Sequence, residues 1–112
     1  MTENTIYHIT SENYFKQFSE SKPYISPTFK DEKFIHLSCK DQVNNTLQKY
    51  YLETQNLVLL HVDLAKLEEN LKYEKASNGE LFPHCYAPIP FLAILKTEKL
   101  NRPQLGIPTW NS

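Results

Sequence analysis

Arginine is nearly missing from this chain: among its 112 residues Arg102 is the single one, and every other basic side chain is lysine or histidine. Planar, bidentate recognition of phosphate relies on arginine, so the deficit weighs against a site that reads several phosphates. Net charge is lacking too, with twelve Lys+Arg against thirteen Asp+Glu for a formal −1. So balanced a chain has no long-range field with which to gather nucleic acid or an anionic membrane. Apolar runs such as Leu57-Val58-Leu59-Leu60 fall far short of the roughly 20 residues that span a bilayer. Met1 to Asn4 is polar, without the basic start and apolar centre of a secretory signal, and a cytosolic location is expected. Cys39 and Cys85 form no C-x-x-C pair and are expected as reduced thiols, as that compartment keeps them. Repeats, low-complexity tracts and linker-like stretches are missing as well, so residues 1–112 read as one domain.

What is present is an aromatic-rich core composition, 40% hydrophobic with seven Tyr and six Phe. Thr5-Ile6-Tyr7-His8-Ile9-Thr10 alternates and is β-branched, which predicts a strand. From Ser11 the period becomes helical, with Tyr14, Phe15 and Phe18 on one face, Ser11 or Thr10 as N-cap, and Lys22-Pro23 as the stop. Tyr24 to Phe29 is extended but broken by Pro27, and Lys30 to Lys33 is a turn. Phe34 to Leu37 is a short strand; Ser38 then stands as N-cap, with Asp41 three residues on, for a helix carrying Val43, Leu47, Tyr50 and Tyr51. Leu57 to Val62 predicts a central strand, and Asp63 caps a short helical turn through Leu67. Leu71 to Lys75 alternates, with Lys72 and Glu74 on one face, and Asn78-Gly79 marks a turn. Leu81 to Pro90, with Pro83, Pro88 and Pro90, is expected as a stiff loop rather than a regular strand. Phe91 to Leu95 is the last strand, and Asn101 to Ser112 is an extended tail that Trp110 pins. Strands outnumber helices, which predicts an α+β fold with a small mixed or antiparallel sheet and two main helices.

Chemistry concentrates on histidines. His8 leaves the first strand, His36 lies two residues before the expected helix cap at Ser38, and His84 sits in the proline-braced segment. Each has a hydroxyl nearby, Thr10, Ser38 and Tyr86. Strand ends and helix starts hold side chains on a rigid scaffold within reach of solvent, so the three are expected to line one ligand site. His61, inside Leu59-Leu60-His61-Val62, reads as structural. Cys85 adjoins His84, but neighbours in an extended segment point opposite ways, so it reads as a bystander thiol.

Ile6-Tyr7-His8-Ile9-Thr10, Phe34-Ile35-His36-Leu37-Ser38 and Phe82-Pro83-His84-Cys85-Tyr86 with Pro88 resemble, in order and spacing, a bacterial family catalogued as domain of unknown function 952. The resemblance extends over Leu57 to Asp63 with Leu67 and over Leu71 to Glu74, and so covers roughly residues 5–95. The family tends to carry Leu and Gly where this chain has Cys85 and Ala87. The resemblance implies a compact fold similar to that of ADP-ribosyltransferases. In that fold a His from a Tyr-His-Gly-Thr type strand lies against the nicotinamide-side ribose of NAD; Tyr7-His8-Ile9-Thr10 is similar but lacks the glycine.

Three readings of the site follow. In an NAD- or nucleotide-directed enzyme, His8 with Thr10 would hold a ribose while Glu74, with Glu80 behind it, stabilised an oxocarbenium-like state and His36 took part in catalysis. NAD is then the candidate cofactor. In a non-catalytic module, His8, Thr10, Ser38, His84 and Tyr86 would capture a small nucleotide-like ligand, with the backbone N–H groups after Ser38 as an anion seat. A zinc site on the histidines is the third, disfavoured because no two of them form a local chelate.

Overall fold

The computed structural model describes residues 4–100 and Trp110. The chain runs β1 (Thr5–Ser11), α1 (Glu12–Phe15), α2 (Phe29–Glu32), β2 (Ile35–His36), α3 (Val43–Tyr50), β3 (Leu57–Asp63), β4 (Leu71–Lys75), β5 (Leu81–Cys85) and β6 (Ile94–Lys99). Two antiparallel three-stranded sheets result, ordered β1-β3-β6 and β2-β5-β4. Among the described residues a single bridge joins them: Tyr7 and Ser38 exchange backbone hydrogen bonds of 2.8 and 2.7 Å. The α+β class with antiparallel pairing agrees with the sequence.

β3 is central and buried on both faces, as its continuous apolar run requires. Ile6 from β1 with Val58, Leu60 and Val62 from β3 joins Ile35, Leu37, Cys85, Tyr24 and Ile89 in a core to which both sheets contribute. On the opposite face of β1-β3-β6, Tyr7, Ile9, Leu57 and Leu59 pack against Val43 and Leu47 of α3 and against Trp110. Trp110 is held by Asn44, whose side chain pairs with both its backbone N–H and its carbonyl, and by Nε1–H donation to Glu98. Pinning by Trp110 was expected; the rest of the tail lies outside the described residues. His61 is structural in the same place, hydrogen-bonded to Glu98 at 2.9 Å and in edge contact with Tyr7.

Several expectations need correction. The first helix is four residues, not a run to Pro23. Ser11 does cap it, accepting from the Tyr14 N–H. Beyond Phe15 the chain gives up helical bonds, which are marginal in so short a segment, and wraps Tyr14, Phe15 and Phe18 around the Tyr24 ring. Lys30 to Glu32, expected as turn, lies in the one-turn helix α2, which Lys33 ends in the left-handed region. Ser38 does not cap the second main helix. Its backbone is committed to Tyr7; Cys39 instead caps a 3-10 turn, Lys40–Gln42, its N–H donating to the Gln42 side chain, and α3 follows from Gln42 without a side-chain cap.

The segment Leu81 to Pro90, expected as a stiff loop, contains the central strand of the second sheet, β5. Pro83 accepts at its carbonyl from the Leu37 N–H. In a strand the N–H and C=O of one residue face the same edge, so the missing donor faces the end of two-residue β2 and interrupts no bond to β4. Finally, Phe91–Ala93 forms a single 3-10 turn, and the last strand begins at Ile94.

Candidate functional site

Strand parity sorts the three histidines. In β1, His8 and Thr10 share the face of Ile6 and point into the core, where both are buried. In β2 and β5, Ile35, Pro83 and Cys85 face inward, so His36 and His84 face outward. The imidazole of His8 therefore meets His36 only at its backbone: Nδ1 lies 2.6 Å from the His36 carbonyl oxygen. The expected gathering of all three around one cleft is not what the fold makes. It makes two separate clusters.

The inner cluster is a closed hydrogen-bond chain. Burial pulls the His8 pKa down to about 4, partly opposed by its bond to the His36 carbonyl. The ring is thus neutral, and the carbonyl fixes the proton on Nδ1. Nε2 must accept, and the Tyr24 hydroxyl donates to it at 2.6 Å. Thr10 hydrogen-bonds that hydroxyl in turn, while burial pushes the Tyr24 phenol well above its ordinary range. Buried polar groups that complete each other's valences in this way specify packing. Neither His8 nor Thr10 offers a free atom to a ligand. Ser38 is equally enclosed, with 5% exposure and a 3.3 Å contact to the Thr46 hydroxyl.

The outer cluster is open. His84 donates from Nδ1 to Glu74 Oε1 at 2.7 Å, and the Tyr86 hydroxyl donates to the same oxygen at 2.5 Å. Those bonds, Tyr86 first, hold the Glu74 carboxyl below the usual carboxylate range, and the carboxylate raises the Tyr86 phenol. His84 Nε2 has no hydrogen-bond partner among the described residues. Phe34 stacks on the His84 ring at 4.2 Å between centroids and 16° between planes. His36 meets His84 edge to face at 5.0 Å, and its Nε2–H donates to Glu32 Oε1 at 3.0 Å. A hydrogen bond from Thr28, and then His36, lowers the Glu32 carboxyl.

Of the expected site residues, the structure brings Glu74, His84, Tyr86 and His36 together and sets His8, Thr10 and Ser38 apart. Glu80 is committed to the hairpin turn through Asn78 and to Gln42. Cys85 is 1% exposed on the inner face, its thiol raised by burial. Glu32, Phe34 and Lys72 were not singled out. Strand parity carried a signal for Phe34, two residues from His36, and for Lys72, two from Glu74. Among the described residues, no group of three or more His, Cys, Asp or Glu side chains is arranged to hold a metal ion, and no helix is long and apolar enough to cross a membrane.

The profile of a family described as protein of unknown function (DUF952) matches residues 9–97. This chain belongs to the DUF952 family. A crystal structure of the protein CC0527 from Caulobacter crescentus is similar, with a TM-score of 0.85 and 31% identity over 94% of this chain and 93% of that one. The solution structure of CC0527 gives a TM-score of 0.82 and 30% identity over 96% and 93% of the two chains. No curated protein matches. These matches name no activity or ligand, and they lend no support to the ADP-ribosyltransferase-like fold that the sequence resemblance implied.

Proposed function

We propose that the outer face of the β2-β5-β4 sheet is an acid–base site for a small-molecule substrate, with His84 Nε2 as the proton acceptor. One observation carries this reading: a carboxylate holds Nδ1–H of His84 at 2.7 Å, leaving the basic lone pair on Nε2, which has no hydrogen-bond partner among the described residues. That is the division of labour of a carboxylate–imidazole general base, in which the acid orients the ring and stabilises the imidazolium. Glu74 is here a positioning residue. Its Oε1 already serves His84 and Tyr86, which suits it to that task better than to stabilising an oxocarbenium ion.

The NAD-cleaving alternative needs His8 at an open surface. His8 is 6% exposed and both ring nitrogens are bonded, so a ribose would have to displace Tyr24 to reach it. A nucleotide-like ligand would instead lie across Phe34 and Tyr86. The test is an amide-resolved NMR screen with NAD, ADP-ribose, mononucleotides and small esters, repeated on His84→Gln and Glu74→Gln. A ligand of this face shifts the amides around Phe34, His36, His84 and Tyr86, and its turnover falls ~10²–10⁴-fold in His84→Gln. Shifts centred on His8 and Thr10, or turnover indifferent to His84→Gln, would overturn the reading.

A further inference from the structure

The register of the second sheet sets His36 opposite His84 and Lys72 opposite His84. Directly paired residues share a face, so His36, His84 and Lys72 form one cross-strand row on the outer surface. Two imidazoles and an ammonium in line, each imidazole oriented by its own carboxylate, make a set with more specific chemistry than a lone general base. The set holds one group to take a proton, one to give a proton, and one fixed cation between strand and solvent. Each carboxylate takes one ring nitrogen, Nδ1 of His84 and Nε2 of His36, and among the described residues the other nitrogen of each ring is open: Nε2 of His84, assigned as the base, and Nδ1 of His36, which as the acid carries a proton.

From this row we infer that the substrate is a phosphodiester bearing a single negative charge, cleaved by water with His84 as base, His36 as acid and Lys72 as counter-charge. The inference rests on the acid–base reading above. In the step, water oxygen bonds to phosphorus as its proton passes to His84 Nε2. The bond from phosphorus to the leaving oxygen breaks as His36 Nδ1–H protonates that oxygen. The products are a phosphomonoester and an alcohol; His84 ends protonated and His36 neutral, and solvent exchange resets both. No metal, oxidant or covalent intermediate is required.

Other classes fit less well. A carboxylic ester handled through an acyl-enzyme would need a nucleophile on this face, yet Cys85 and Ser38 are 1% and 5% exposed. Donors here are cationic side chains, matched to anionic phosphoryl oxygens, and β5, which carries His84, is paired on both sides. Polyphosphates are disfavoured by Glu32 and Glu74 beside the row and by the lack of arginine among the described residues. One charge fits. Lys72 Nζ also lies 5.2 Å from the centroid of the Tyr86 ring, which keeps the ammonium over the site instead of free in solvent.

The test uses 2′,3′-cyclic AMP and bis(p-nitrophenyl) phosphate as probes, with p-nitrophenyl acetate as a neutral comparison, followed by ³¹P NMR and absorbance. Cleavage of either diester to a monoester is expected, with a bell-shaped pH–rate profile. His84→Gln and His36→Gln should each lower kcat ~10²–10⁴-fold, and Lys72→Gln should lower kcat/KM at least ~10-fold while the bell shape is kept. His36 and Lys72 are exposed, so amide spectra of those variants should match the parent. Untouched diesters alongside His84-dependent binding or turnover of another compound would overturn the substrate class and leave the acid–base reading standing. Diester cleavage within twofold of the parent in His36→Gln or Lys72→Gln would also overturn it. If no compound shows His84 dependence, both fall.

Discussion

Lowering the pH from 7.5 to 5 sets the folded chain against a proton that its unfolded form accepts. His8 titrates at about 4 when folded and from 6.5 when free, with burial as the main cause. Between those values the unfolded state binds more protons than the native state, so stability rises with pH across the window. The contribution of His8 is fully present above pH 6.5, falls as the pH drops, and is gone below about 4. At ~1.36 kcal/mol per pH unit, the gap amounts to roughly 3 kcal/mol in full and about 2 kcal/mol by pH 5. Domains of this size hold only about 5–15 kcal/mol. The loss is therefore large enough to read directly.

Urea unfolding at pH 7.5 and pH 5 measures it, since about 2 kcal/mol at an m-value of ~1–3 kcal/mol/M moves the midpoint by roughly 1 M. The lowered carboxyls of Glu32 and Glu74 also lose stability on acidification, from the usual carboxylate range downward, so most of their loss lies below pH 5, and the comparison with His8→Gln isolates the part due to His8. In His8→Gln, which keeps a donor and an acceptor, the difference between the two pH values should shrink by about 2 kcal/mol. Should that variant fail to fold, ¹⁵N shifts of the parent imidazole give the same answer, with Nδ1 protonated and Nε2 not at pH 5.5. A His8 ring that titrates above pH 6, or an unchanged slope in His8→Gln, would refute the closed-chain account.

Tyr24→Phe removes the hydroxyl between His8 and Thr10 and leaves two buried polar groups unpaired, so it should cost about 2–6 kcal/mol by urea titration, at ~1–3 kcal/mol for each group. Gly79 has φ of +87° in the β4–β5 hairpin, and a Cβ there would meet nothing within 4 Å. Gly79→Ala should therefore cost only the backbone strain, about 1–2 kcal/mol, with the outer-face amide shifts unchanged. Trp110 is 7% exposed against Tyr7 and His61, and Trp110→Ala should cost about 3–5 kcal/mol. A loss under 1 kcal/mol in thermal or urea unfolding would show that the tail contact is dispensable.

How much of this was legible depended on whether the deciding interaction was local. The β-branched run of β1, the buried run of β3, the Ser11 and Asp63 caps and the Asn78-Gly79 turn all depend on near neighbours, and each is where the sequence put it. The cap at Ser38 failed because a partner more than thirty positions away, Tyr7, claims its backbone. Pro83 misled because a proline argues against a strand only if its missing N–H faces a partner, and which edge it faces is a property of the sheet. The histidine site divided for a related reason. Parity within β1, β2 and β5 is readable strand by strand, but which parity is the inside depends on what each sheet covers. Cys85, the small apolar neighbour of His84, and Ile35, the neighbour of His36, carried the missing information: both flank their histidine and both are buried. A histidine beside such a residue in a strand points away from the core. His8 lies between Tyr7 and Ile9, which are buried on the opposite face under α3, so its strand has no outside at all. A histidine in a strand buried on both faces is therefore a core residue, and one that alternates with buried neighbours in a strand covered on a single face belongs to the open surface.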